Sequence, residues 1–304
     1  MSTIGRVALA YRTFQIHRRI LSSGMKSQFI PFEGIRFHMY AHENAKPPLF
    51  LLHGFLDSSK TFRKLFPELI RKFDVYAIDL PGFGSTRMPE LRELWRIDSI
   101  ARQTARFILH ILKQRPPQAP QRGNKVDYSP QLLTHSMGGL IAMHAVEYLQ
   151  DHDLEVPFKR MHFVAPGALR FSESDRDAHR KRFYPTSTDE IRELLGELFH
   201  ETRTDLPDFL LRGLLEQWSH KGYEYLAENT IEEEDSVFYP SGKRIKLSPE
   251  IILYWGREDR IVNLQYGKLV RMTLRCRLIE MQGGHCVQTE NPDELMRAFL
   301  ANCK

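Results

Sequence analysis

From residue 28 onward the apolar positions alternate between two kinds of run. Residues 28–32 and 35–42 read as strands separated by the turn residues Glu33 and Gly34, which predicts an opening hairpin. After Pro47-Pro48, the short run Leu49-Phe50-Leu51-Leu52 ends at His53-Gly54, the form of a strand buried on both faces. Residues 74–80, 130–135, 160–165 and 251–255 repeat that form. Between them, helical spacing of apolar residues predicts helices over 98–113, 137–150 and 263–272. Strands alternating with helices predict an α/β fold built on a parallel, doubly wound sheet.

The alternation breaks once. Residues 167–248 hold no convincing buried strand; they hold a helical pattern over 189–200, opened by a capping box from Ser187 to Glu190, and a second after Pro207 carrying Phe209, Leu210, Leu214, Leu215 and Trp218. The sheet pattern resumes at Ile251, so this stretch is an insertion placed to cover the carboxyl edge of the sheet. The expected division is a core of 28–166 and 249–304, a helical cap of 167–248, and a basic amphipathic segment of 1–27. In that segment Ile4, Val7, Tyr11, Phe14 and Leu21 share one side of a helix over 4–21, interrupted by Arg18. It reads either as a functional segment, an interfacial helix making a peripheral membrane contact or an Arg-rich organellar transit peptide, or equally as a leading helix packed on the body or a frayed terminus.

Charge sharpens this picture. Residues 1–32 carry Arg6, Arg12, Arg18, Arg19 and Lys26 and no acid, so the formal net charge of +5 resides there and the rest of the 304-residue chain is balanced. A nucleic-acid binder spreads its basic groups over a folded face, and no such module is present. No run of 18 apolar residues exists to span a membrane. Cys276, Cys286 and Cys303 match neither a zinc spacing nor a disulfide framework, which points to a reducing, cytoplasmic setting. The 13 histidines form no metal motif; His38 and His42, on one strand face, would stand about 13 Å apart. Gly82-Phe83-Gly84 follows a strand, but Arg87 occupies the third glycine position of a dinucleotide fingerprint. Neither a metal nor a cofactor is expected.

The strongest chemical signal is Leu132-Leu133-Thr134-His135-Ser136-Met137-Gly138-Gly139, a buried strand running straight into a helix. Such a turn exposes a serine hydroxyl beside the unpaired N–H groups of the helix start. Later strand ends deliver a carboxylate, Asp259, and an imidazole, His285, in the order Ser, Asp, His. Taken singly, Ser136 reads as a helix cap, Asp259 as a turn residue and His285 as a loop histidine. Together they read as nucleophile, orienting acid and general base. The backbone N–H groups of Met137 and Phe55 are the candidate oxyanion donors. His53, Phe209, Leu210 and Trp218 are candidates for contacting substrate, although most cap apolar residues are expected simply to pack the cap.

From about residue 28 to the end, the chain resembles the α/β-hydrolase family. His53-Gly54-Phe55 resembles the oxyanion loop, 79–85 the loop after the fourth strand, Ser136-Met137-Gly138-Gly139 the nucleophile elbow, and 284–292 the histidine loop and last helix. The resemblance implies an eight-stranded, mostly parallel sheet and hydrolysis through an acyl-enzyme. One departure is Thr134, where the family usually has glycine. A serine nucleophile argues against the aspartate-using dehalogenase and epoxide hydrolase branches. The expected function is therefore a carboxylesterase or lipase-like serine hydrolase of the EC 3.1.1 class. Its expected substrate is a small-molecule ester with an apolar or lipid-derived acyl group, monoacylglycerol-like or smaller. The alternatives are a meta-cleavage carbon–carbon hydrolase, which residues 255–260 resemble, and a non-catalytic binding protein of the same fold. Oligomeric state and hydrolysis versus acyl transfer stay open.

Overall fold

The computed structural model describes residues 3–115, 127–169, 181–201, 206–232, 237–238 and 248–303. One eight-stranded sheet organises it: β1 (Lys26–Phe32), β2 (Ile35–His42), β3 (Pro48–Leu52), β4 (Asp74–Ile78), β5 (Gln131–His135), β6 (Arg160–Val164), β7 (Glu250–Gly256) and β8 (Arg277–Met281). The spatial order is β1-β2-β4-β3-β5-β6-β7-β8. The first two ladders are antiparallel, and every pairing from β4 through β8 is parallel. The predicted hairpin forms, with Glu33 and Gly34 both at positive φ as a two-residue turn between right-twisted strands demands.

The helices are α1 (Thr3–Ser22), α2 (Phe66–Lys72), α3 (Ile97–Gln114), α4 (Met137–Asp151), α5 (Thr188–Leu198), α6 (Asp208–Trp218), α7 (Lys221–Glu232), α8 (Leu264–Leu274), α9 (Val287–Glu290) and α10 (Pro292–Ala301), with a 3-10 turn at Ser59–Lys64. None of those described is long and apolar enough to cross a membrane. Alternate residues of the central strands feed two separate cores. Phe50, Leu52 and Tyr76 join the side holding α3 and α4; Leu49, Leu51 and Val75 join the side holding α2 and α10. That two-sided burial is why these strands are continuous apolar runs. Helices α5, α6 and α7 lie between β6 and β7, where the insertion was expected, though α7 was not foreseen.

The sheet order reverses direction around β3, with β4 on one side and β5 on the other. This is the switch point, where the carboxyl ends of parallel strands open a crevice. Two elements stop two residues earlier than their apolar patterns predict. The strand expected over 74–80 ends at Ile78, because the Asp79 side chain accepts from Ser59 N (2.8 Å), Ser59 Oγ (2.6 Å) and Ser85 N (2.8 Å) and meets His38 Nδ1 at 2.7 Å. Burial opposes its ionisation, yet the His38 hydrogen bond and nearby positive groups hold this carboxyl well below the usual range. A methyl on Gly84 would lie 2.2 Å from Asp79 Oδ2, which explains the glycine turn. The helix expected over 189–200 ends at Leu198, because the His200 and Glu201 amides turn to Glu290 Oε1 at 2.7 and 2.9 Å.

Stability should carry a histidine signature. His162, buried between Tyr254 and Gln131, has its pKa lowered to about 3, first by burial and then by Arg160. The unfolded chain therefore binds this proton more readily than the folded one between the two values. Stability is full above the ordinary value near 6.5 and falls by about 1.4 kcal/mol per pH unit below it for this one group. Urea midpoints at pH 7, 6 and 5 should fall more steeply for the wild type than for His162→Gln. Equal slopes would remove His162 from the acid sensitivity.

Candidate active site

Ser136 is the residue between β5 and α4, with φ 51° and ψ −123°. A non-glycine side chain at this positive φ costs about 1–3 kcal/mol and is held only by its surroundings. Those surroundings are visible: Ser136 N donates to Val164 O (3.0 Å), while Ser136 O accepts from Gly139 N (2.8 Å) and Gly167 N (2.9 Å). A methyl on Gly138 would lie 2.4 Å from Leu52 O, so the first turn of α4 rests directly on the end of β3. Thr134, at the crowded position before the elbow, is fully buried with its hydroxyl unpartnered among the described residues, and the turn forms around it.

Asp259 follows β7 and His285 follows β8. Asp259 Oδ1 accepts from Ile261 N (2.8 Å) and Val262 N (2.9 Å), and its Oδ2 lies 2.9 Å from His285 Nδ1. With Oδ2 accepting, Nδ1 carries the proton and His285 Nε2 is left as an acceptor. Both side chains are almost completely buried. The two loops are laced together by Glu258 N to Gly283 O (3.2 Å) and Gly283 N to Glu258 Oε2 (2.9 Å).

The loop after β3 passes against Ser136: a methyl on Gly54 would lie 3.1 Å from Ser136 Cβ. This brings the Phe55 amide to the same end of the sheet as Met137, whose N–H heads α4. Neither amide reaches a backbone carbonyl among the described residues. The Phe55 ring is pinned edge-on to Phe83, Phe183 and Tyr223, with centroids at 5.9 to 6.0 Å, so its loop is braced from both core and insertion.

Ser136, His285, Phe55 and Gly54 line a common cavity of about 200 Å³. Its other walls include Leu194, Leu195, Leu198 and Phe199 from the region of α5, Phe183 ahead of it, and Trp218 at the end of α6. Trp218, one of the candidate substrate contacts, thus lines the cavity. His53, Phe209 and Leu210 do not line this cavity. The His53 ring is spent on its own loop, Nε2 accepting from Leu80 N (3.0 Å) and Nδ1 donating to Gly54 O (2.7 Å). Phe209 lies where α6 meets α1 and is 38% exposed, and Leu210 adjoins it on the same turn.

Residues 49–298 match the alpha/beta hydrolase family. The chain belongs to this family. It is similar to an uncharacterised hydrolase, YugF, of Bacillus subtilis (strain 168), with 23% identity over 291 residues, 89% of this chain and 94% of that one. Among solved structures it is similar to a membrane phospholipase A described as a bacterial virulence factor, with TM-score 0.73 and 19% identity over 97% of this chain and 93% of that one. It is also similar to an esterase from Exiguobacterium antarcticum, with TM-score 0.69 and 16% identity over 91% and 98%.

Several residues of this alpha/beta hydrolase's site escape a reading of spacing alone. His135 Nε2 donates to His285 O at 3.1 Å, and burial holds the ring's pKa well below 6.5, so it braces the histidine loop as a neutral group. Glu290 accepts from Gly284 N (2.7 Å) as well as from His200 and Glu201, joining the histidine loop to the end of α5. Asp57 lines the cavity, and burial raises its carboxyl against the opposing pull of His53 and the Ser58 amide. Cys286 also lines it, but burial and neighbouring carboxylates push its thiol well above its ordinary value, which keeps it protonated.

Proposed function

We propose that this alpha/beta hydrolase is a serine esterase that cleaves a carboxylic ester with a small, apolar acyl group. The observation that carries the reading is the division of labour at Asp259: one oxygen is held by two backbone amides and the other by His285, which leaves His285 Nε2 as an acceptor in a cavity shared with Ser136. In this reading His285 takes the Ser136 proton as Oγ attacks the ester carbonyl. The N–H groups of Phe55 and Met137 receive the developing oxyanion. His285 then returns the proton to the leaving alcohol, and water repeats the sequence to release the acid.

The walls argue for the substrate class. Leucine, phenylalanine and tryptophan side chains suit an acyl chain, and about 200 Å³ falls below the roughly 300–1,000 Å³ of drug-sized sites, favouring a short one. The charged groups speak against an anionic substrate such as a ring-fission dienoate. Arg182, the cation that lines the cavity, already pairs with Glu197 at 2.8 Å. Intact mass after exposure to a fluorophosphonate is the direct test. One adduct on the wild type and none on Ser136→Ala is expected; an unmodified wild type would sink the esterase reading.

A further inference from the structure

Helix α1 is apolar on two sides. On its inner side Gly5 and Ile20 are buried, and Leu9 and Ile16 half-buried, as it packs on α6 and the 3-10 turn Ser59–Lys64. The contact with α6 is backbone to backbone: a methyl on Gly5 would lie 2.1 Å from Phe209 O, and one on Gly213 would lie 2.7 Å from Leu9 Cδ1 and 3.1 Å from Gly5 O. Arg6 adds an ion pair with Glu216 at 3.3 Å. The helix is therefore laid along the body, and its other side faces solvent.

That other side is a stripe. At 3.6 residues per turn, positions 4, 7, 11, 14, 18 and 21 fall within an arc of about 100°. Ile4 is 71% exposed, Val7 62%, Tyr11 63%, Phe14 53% and Leu21 40%. Apolar residues scattered singly over a surface need no explanation, whereas five along one helix face, broken only by Arg18, do. Arg18 stands within the row and Arg12 and Arg19 beside it, all three exposed, and the helix contains no acid. The Arg18 guanidinium lies 5.9 Å from the Phe14 ring centre. Lys60, Arg63 and Lys64 stand on the turn beneath α1, and Arg63 is depressed first by burial and further by Arg12 and Arg19, a sign of how closely these positive groups gather.

We propose that the outer face of α1 docks this protein on an anionic lipid surface, with Ile4, Val7, Tyr11, Phe14 and Leu21 entering the headgroup boundary and Arg12, Arg18 and Arg19 meeting the lipid charge. A second copy of the chain is a poorer occupant, because pairing two acid-free helices face to face sets arginine against arginine with no carboxylate between them. The docked orientation also has a functional sense. The bilayer would lie against α1, which rests on α6, the helix that ends at cavity-lining Trp218.

The test uses the full chain and sedimentation with vesicles of dialkyl-ether phospholipids, which an esterase cannot consume. The wild type should bind an equimolar phosphatidylcholine and phosphatidylglycerol mixture more tightly than phosphatidylcholine alone. Tyr11→Ser/Phe14→Ser should weaken partition at least about tenfold. Arg12→Gln/Arg18→Gln/Arg19→Gln should weaken it roughly a hundredfold and remove the preference for the anionic lipid. All substituted side chains are exposed, so thermal unfolding and turnover of a water-soluble ester should match the wild type. Absence of wild-type binding, or equal binding by all three proteins, would overturn the proposal. So would a wild-type dimer that Tyr11→Ser/Phe14→Ser converts to monomer without any vesicle binding, which would assign the stripe to a second copy.

Discussion

Replacing Ser136 by alanine is expected to lower kcat for a short-chain ester by roughly a millionfold while leaving the fold intact. Alanine keeps the Cβ that the elbow already accommodates, and every hydrogen bond recorded at this residue uses its backbone, so the melting temperature should shift little. What disappears is the hydroxyl of a residue that lines the cavity. Residual turnover of roughly 10³–10⁴ over water should survive, because amide donors and binding walls act without the nucleophile. The measurement is single-turnover hydrolysis of a chromogenic ester by wild type and variant at equal concentration. A variant within tenfold of the wild type would remove Ser136 from the chemistry.

Asp259→Asn should cost about 10⁴-fold in kcat, through a proton in the wrong place. The side-chain amide has one acceptor where the carboxylate has two. The Ile261 and Val262 amides both need an acceptor and are buried, so the asparagine oxygen is drawn to the position of Oδ1. Its NH₂ then faces His285 Nδ1, which must give up its proton and become the acceptor. The proton moves to Nε2, and the imidazole can no longer accept one from Ser136. Activity of this variant should recover at high pH, where hydroxide can take the Ser136 proton in place of the blocked imidazole, and the pH–rate profile should lose its plateau near neutrality. An Asp259→Asn profile parallel to that of the wild type would mean that the carboxylate does not set the tautomer.

The parts of this molecule legible in its sequence are those with local causes. A strand buried on both faces needs an uninterrupted apolar run, so β3 to β7 can be read directly, and the residues that end them, His53, Ser136 and Asp259, are read with them. Where partners come from elsewhere, spacing is silent. Nothing local shows that His53 Nε2 will be taken by the Leu80 amide, which turns a candidate substrate contact into a loop brace. The apolar pattern of α6 is shared between two neighbours: Phe209 falls at the α1 contact while Trp218 reaches the cavity, and a periodicity cannot say which side each neighbour occupies. Glu290 reads as one residue of a closing helix, yet it gathers three amides from two distant loops. The expected unit boundaries at 167 and 248 adjoin stretches outside the described residues, although Gly167 is still bonded to Ser136.

The glycine contact between α1 and α6 has an evolutionary side. Gly5 and Gly213 stand more than two-thirds of the chain apart, in segments that insertions and terminal extensions usually exchange freely. Gly5 has no room for a methyl group as long as α6 is in place, since the Phe209 carbonyl oxygen would lie 2.1 Å away, whereas at Gly213 a methyl would meet the movable end of the Leu9 side chain and ask the Gly5 backbone to give only slightly. An N-terminus borrowed from a relative with alanine at 5 would push the N-terminal helix off the body, while an insertion borrowed with alanine at 213 would be absorbed by a small shift. The stricter demand therefore travels with the N-terminal segment, so chimeras that bring alanine to position 5 should lose α1 and those that bring it to position 213 should keep it.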